Sequence, residues 1–193
     1  TGKVPVSYQT DPAIVANVAA IEARQPALEF RPSTCRFIQN RPRLRESYIQ
    51  QAYIKLIERA RSEVLIANAY FVPDDLSVET LVDACDRGVK VEIIVPGEHV
   101  DTDITRRAGR SRWGPLLEAG VEIYEYEPTM YHCKVMIVDD IWTSVGSTNF
   151  DNRSFRLNDE ANLNVYDADF AREQVAFFEQ DKTRSRRITF EEW

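Results

Sequence analysis

His132 and Lys134 stand two residues apart at the head of the apolar run that ends at Val138, and Gly146-Ser147-Thr148-Asn149 follows one turn later. An ammonium fixed beside an imidazole is an anion clamp. The hydroxyl of Ser147 and the amide of Asn149 add neutral donors to the same anion, and the set suits a tetrahedral phosphate oxyanion. The imidazole can then attack phosphorus or hand a proton to a leaving oxygen. Either role calls for a carboxylate on the second ring nitrogen. Glu160 opens the next apolar run, shares a face with Asn162, and is the candidate. The alternative on these residues alone is a satisfied edge histidine with a solvated lysine.

These groups converge only if particular elements hold them. The two runs read as strands His132–Val138 and Ile141–Ser147, joined at Asp139-Asp140. A two-residue turn would set Val138 opposite Ile141, Lys134 opposite Val145 and His132 opposite Ser147. Period two places His132 and Lys134 on one face of the sheet. It sends Cys133 to the other face and Asp139 to the far end, where the expected job is to close the turn or pair with a cation.

Around this hairpin the chain alternates strands and helices. Helical spacing predicts a helix over 46–62, and the buried run "EVLIANAYFVP" predicts a strand ending at Pro73. A helix closed by Gly88, the strand "VKVEIIVPG", a broken helix near Gly114-Pro115, the strand "VEIYEY", a strand after Glu160 and a last helix from Ala168 follow. The expected fold class is α/β: an α/β/α sandwich on a mixed, partly parallel sheet, with an antiparallel hairpin carrying the site. Residues 1–45 hold five prolines and one helical patch at 11–24, and read as a Pro-rich arm or inter-domain linker. Residues 46–193 read as the catalytic domain.

Bulk composition narrows the classes. Apolar content of 44% and charged content of 28% describe a globular chain. A net charge of −7 argues against a wholly basic nucleic-acid surface, so nucleic acid is not the expected partner. Three widely spaced cysteines form neither a metal spacing nor a disulfide framework. The longest apolar runs are too short to span a bilayer. The chain does not begin with Met and is expected to be a fragment of something longer. Arg106, Arg107, Arg110 and Arg112 cluster after "VDTDIT" and are either a lipid-phosphate site, with Arg106 and Arg110 as the phosphate ligands, or a solvated helix face. Tyr70 is a candidate pocket wall with Phe71 and Trp113. The "RSRR" stretch near the C-terminus reads as a basic tail or a phosphate contact, and Phe177 and Phe178 read as core.

The run "HCKVMIVD", followed after six residues by "GSTN" and then "FDNRSF", resembles the H-x-K-x4-D signature of the phospholipase D superfamily. From about Phe37 onward the chain is similar to the second half of bacterial cardiolipin synthases. The resemblance implies a catalytic site of His132, Lys134, Asp139 and Glu160, with Ser147 and Asn149 in support. It implies phosphoryl transfer through a phosphohistidine with no metal and no cofactor. Two motifs normally cooperate, one histidine as nucleophile and the other as acid and base; by that analogy His132 is the acid and base. Only one motif is present, because His99 has no lysine two positions on. The missing half is expected either in the parent chain or in a homodimer partner.

The implied function is therefore one half of a phosphatidyltransferase that joins phosphatidylglycerol molecules and releases glycerol. The alternatives are a homodimeric phosphodiesterase or nuclease, and an inactive half that binds anionic lipid. The implied location is the cytoplasmic side of a bacterial membrane, with peripheral contact and with an anchor allowed in the parent protein.

Overall fold

In the computed structural model the described residues are 33–44, 46–100 and 103–193, so the helical patch at 11–24 lies outside them. The chain lays down β1 (Thr34–Arg41), β2 (Glu46–Ser47), α1 (Tyr48–Arg59), β3 (Glu63–Asn68) and β4 (Phe71–Val72). Next come α2 (Asp75–Asp86), β5 (Lys90–Pro96), α3 (Asp103–Arg110), α4 (Gly114–Glu118) and β6 (Glu122–Tyr126). The hairpin is β7 (Lys134–Val138) and β8 (Trp142–Gly146), followed by β9 (Phe150–Asp151), α5 (Asn152–Arg156), β10 (Glu160–Tyr166), α6 (Ala168–Lys182) and β11 (Ser185–Ile188).

Nine strands form one sheet in the order β11-β6-β5-β3-β7-β8-β10-β1-β2. The β3–β5 and β5–β6 pairs are parallel and the rest are antiparallel. The sheet is mixed, as the alternating pattern predicts. Its two faces bury separate cores. On one face α1 contributes Ile49, Tyr53 and Ile57, which recur every four residues, against Val64, Ile66, Val91 and Ile93. On the other, Ala171 and Phe178 of α6 meet Leu65, Ala67, Ile94 and Ile137. Each fully buried aliphatic side chain contributes about 1.5–3 kcal/mol, so sandwiching β3 and β5 between helices fixes the centre of the sheet.

Three details differ from the sequence reading. Thr34–Arg41, assigned above to the arm, is a sheet strand whose ladder to β10 runs from Thr34 opposite Tyr166 to Asn40 opposite Glu160. Asn40 is buried there, accepting from Ile49 N–H and donating to the Ser154 and Phe155 carbonyls. The run to Pro73 splits after Asn68, and Phe71–Val72 pairs with Phe150–Asp151 in a separate parallel ribbon. Ser185, Arg186 and Arg187 of the C-terminal "RSRR" belong to β11, paired antiparallel to β6.

Candidate active site

The hairpin register differs by one residue from the two-residue-turn prediction. Val138 faces Trp142 and Val135 faces Val145. Asp139 and Asp140 both take φ 53°, and Ile141 N–H donates to the Val138 carbonyl at 3.3 Å. Ile141 then lies outside the ladder as an extra residue, which shifts every cross-strand partner by one. Residues on the same strand keep their relation, so His132 and Lys134 remain neighbours on one face.

The strand proper begins at Lys134, and His132 sits on the segment leading into it at the end of the sheet where β3 and β8 finish and β10 starts. The imidazole is exposed. Lys134 Nζ lies 3.1 Å from His132 Nδ1 and 3.3 Å from the His132 carbonyl. The ammonium also lies 3.5 Å from Nε2, so it sits against the face of the imidazole, close to both ring nitrogens. Tyr70 meets the imidazole edge to face, with ring centroids 6.1 Å apart. His132, Lys134 and Tyr70 thus lie together at one open site.

Ser147 and Glu160 come together in a way the sequence did not indicate. Ser147 Oγ donates to Glu160 Oε2 and accepts from Ala161 N–H at 3.0 Å. Asn158 donates to the other carboxylate oxygen at 3.2 Å. Glu160 therefore orients the serine and not the imidazole, a correction to its expected role: its strand starts beside Ser147, and β8 stands between it and β7. Asn149 is half-buried and its Oδ1 has no hydrogen-bond partner among the described residues, so the amide still owes a bond at this site.

Beneath the site lies a buried polar network. Asn162 donates to Tyr53 OH at 2.7 Å and to Ser144 Oγ at 2.8 Å, and accepts from Thr148 Oγ1 at 2.6 Å. Burial pushes the Tyr53 phenol up to about 12, with its bonds to Ser144 and Asn162 opposing and the Glu160 charge adding to the rise. Gly146 is required by this approach: a Cβ there would sit 2.3 Å from the Ala161 carbonyl oxygen and 2.4 Å from Asn162 Oδ1. Asn68 performs the second positioning task. Its buried side chain accepts from Tyr70 N–H at 3.2 Å and Phe150 N–H at 3.1 Å, so one amide holds both loops that flank the imidazole. Neither Asn68 nor Thr148 was singled out from sequence; the available signal was an asparagine closing the apolar run "EVLIAN".

Asp139 lies a strand length, about 16 Å, from Lys134. Its carboxylate accepts from the backbone N–H groups of Arg61, Ser62 and Glu63 and from Ser62 Oγ, at 2.8–3.1 Å. Partial burial alone would raise this carboxyl, but the bonds from Ser62, Glu63 and Arg61 outweigh it and hold the group below the ordinary range. Asp139 thus ties the hairpin to the start of β3, in keeping with the structural job its strand position predicts; it does not touch the imidazole, which corrects its place in the implied catalytic set.

Arg106 and Arg110 are also corrected. Both guanidinium groups pair with buried Glu125, Arg106 at 3.0 Å and Arg110 at 2.6 Å, and Arg186 of β11 joins at 3.0 Å. A buried carboxylate must be paired, and these side chains meet that need in place of holding substrate phosphate. Arg187 pairs likewise with Glu122 at 3.0 Å. Trp113 and Phe71 are core; Tyr70 alone of that trio reaches the imidazole.

Comparison with known proteins places this geometry. Residues 53–182 match the family described as "Cardiolipin synthase, PLD-like domain". The chain is 40% identical over 145 residues to the major cardiolipin synthase ClsA of Bacillus subtilis, covering 75% of this chain and 30% of that protein. It is 41% identical over 122 residues to cardiolipin synthase B of Escherichia coli K12, covering 63% and 29%. The chain thus spans about 30% of the length of the curated relatives it matches. Among solved structures, the phospholipase D family member Nuc from Salmonella typhimurium superposes with a TM-score of 0.70 at 20% identity, covering 82% of this chain and 99% of that one. A phosphatidylserine synthase from Haemophilus influenzae gives 0.68 at 15% identity, covering 93% and 48%. At these identities the two structures speak for the fold.

Proposed function

Because the chain belongs to the cardiolipin synthase, phospholipase D-like domain family, we propose that it is one catalytic half of a phosphatidyltransferase acting on phosphatidylglycerol. In the first step a histidine nitrogen of the other half attacks phosphorus. The N–P bond forms as the P–O bond to glycerol breaks, and the departing oxygen takes a proton from His132. In the second step a hydroxyl of another phosphatidylglycerol attacks, gives its proton to His132, and displaces the histidine to leave cardiolipin. Lys134 balances the phosphate oxyanion throughout. Asn149 supplies a neutral polar contact, and Ser147, fixed by Glu160, forms the rim.

The observation that carries this reading is the 3.1 Å contact between Lys134 Nζ and His132 Nδ1 at an exposed sheet end. It sets a cation against the imidazole at the place where a phosphate oxyanion would be held; His132 gives its proton as the imidazolium and takes one back as the neutral ring. The domain acts at the cytoplasmic face of a bacterial membrane by peripheral contact; no helix among the described residues is long and apolar enough to cross a bilayer. The test is His132→Ala in the complete enzyme. Transfer of labelled phosphatidyl groups should fall by about 10²–10⁴-fold, and undiminished transfer would sink the assignment.

A second reading, a phosphodiesterase built from two copies of this chain, is favoured by the 99% coverage of a single-domain phospholipase D family member. Sedimentation separates the two readings: a tight dimer of the 193-residue chain supports the second, a monomer the first.

A further inference from the structure

The run "FDNRSF", Phe150 to Phe155, has no part in the chemistry assigned above, and the fold sets it on a groove. Phe150–Asp151 is β9, paired parallel with Phe71–Val72. Tyr70 and Asn149, on the loops that flank the imidazole, immediately precede the two strands. The ribbon therefore leads away from the site, and two residues on, Val72 and Asp151 stand about 7 Å beyond Tyr70 and Asn149. There the ribbon floors an open groove of about 500 Å³ between α3 and α5, lined by Val72, Ile104, Ala108, Asp151, Asn152 and Arg153 among others. Its two walls differ. On α3, Ile104 is 78% exposed, with Ala108 one turn further along. On α5 stands the exposed side chain of Arg153. Other charges around the groove are matched: Asp74 takes Arg156 at 3.2 Å and Gln50 at 2.8 Å, and Asp75 takes Arg112. The Arg153 guanidinium forms no hydrogen bond or ion pair among the described residues. Asp151 holds Ser154 N–H on Oδ1 at 2.7 Å, and its carboxylate keeps acceptor capacity for a hydroxyl.

An open cation, a carboxylate and an aliphatic wall in one groove describe an amphipathic ligand: phosphate for the guanidinium, hydroxyl for the carboxylate, hydrocarbon for Ile104. A polyanion such as a nucleic-acid strand would need several open cations and would meet Asp151. We propose that the groove seats the acceptor phospholipid of the second step, with its phosphate on Arg153 and its glycerol headgroup running past Asp151 toward Asn149 and Tyr70. The inference rests on the reading of this chain as half of a phosphatidyltransferase. Charge and length both support it. Lys134 balances the phosphate under attack; the acceptor lipid brings a second phosphate, which calls for a cation of its own. In phosphatidylglycerol the attacking hydroxyl and that phosphate are three carbons apart, a reach of about 5–7 Å at bond lengths near 1.5 Å. The two ribbon residues between Asn149 and Arg153's helix cover the same span.

The test compares two acceptors in the complete enzyme, working on phosphatidylglycerol vesicles. Free glycerol offers the attacking hydroxyl without a phosphate, so exchange of labelled glycerol into phosphatidylglycerol reports the transfer chemistry without calling on Arg153. Cardiolipin formation calls on both. Arg153→Gln should lower the ratio of cardiolipin formed to glycerol exchanged by about 10-fold or more, as expected for the loss of a charge-assisted hydrogen bond. Arg153→Lys, which keeps the charge, should recover part of that ratio. The melting temperature of Arg153→Gln should match the parent, because the guanidinium holds nothing in the fold. An unchanged ratio overturns the proposal. So does an equal fall in both products, because Arg153 then serves the shared chemistry or the fold and not the acceptor. A parent enzyme that neither exchanges glycerol nor forms cardiolipin sinks the phosphatidyltransfer reading and this inference with it; a parent active in both, with a ratio indifferent to Arg153, sinks the inference alone.

Discussion

Asn68→Ala removes one amide and should damage both stability and turnover. The side chain is buried, and its oxygen accepts from Phe150 N–H at 3.1 Å and Tyr70 N–H at 3.2 Å. Its own amide nitrogen reaches the Thr148 carbonyl only weakly, at 3.5 Å. Truncation strands the Phe150 donor in a buried place, at about 1–3 kcal/mol. Tyr70 is half-exposed, so water can replace that bond at smaller cost. The sum is roughly 2–3 kcal/mol, or a melting temperature lowered by about 4–12 °C for a domain of this size. Urea unfolding followed by tryptophan fluorescence measures it, with an unchanged m value as the control for a two-state comparison. In the complete enzyme the Tyr70 and Asn149 loops lose their common tether, and an ångström of misplacement costs about 10²-fold in rate. A variant within about 0.5 kcal/mol of the parent, or one with full turnover, would refute the claim that Asn68 positions the site.

Other outcomes follow from the same geometry. Asp139→Ala should cost about 2 kcal/mol in urea unfolding, since it strands three backbone N–H groups from a charged acceptor, while leaving the KM for lipid unchanged; a KM effect without a stability loss would contradict its placement. Because the Asp139 carboxyl is held below its ordinary range, the stability it contributes is present above the unfolded value and is lost as pH falls through the lower folded value. The Asp139→Ala chain should therefore show a flatter acid limb. Glu63 behaves oppositely: burial, then a hydrogen bond and repulsion from Asp140, push it up to about 7. Its stabilising proton is fully held below about 4.3 and is lost as pH rises through 7, so Glu63→Gln should unfold later than the parent at pH 8 and show little difference at pH 4. Gly146→Ala should be severely destabilising, because the new methyl meets the backbone oxygen of Ala161 at 2.3 Å; a normal melting temperature would show that β8 and β10 can part without cost.

The pairing of His132 with Lys134 was legible because it is local. His132 and Lys134 share a face by strand period alone, and a register shift of one residue could not separate them. What the register did control was the identity of their cross-strand neighbours, and there the extra residue Ile141 changed every pairing. Glu160 was expected to orient the imidazole, and its carboxylate instead takes the Ser147 hydroxyl. Arg106 and Arg110 were misassigned because nothing in "TRRAGR" reveals that Glu125, on a strand that starts twelve residues after Arg110, is buried and in want of cations.

The amino-acid order by itself determined the alternation of strands and helices, the mixed sheet, and the imidazole beside an ammonium, since all are set by periodicity within ten or so residues. Only the tertiary structure decided that Thr34–Arg41 joins the sheet, that β11 closes its far edge, and that α6 leaves Phe37, Leu163 and Phe177 in solvent. Those outcomes depend on which apolar faces find cover. A face is covered by elements distant in sequence, and the pattern along one strand records its own apolarity without recording what is long enough to reach it.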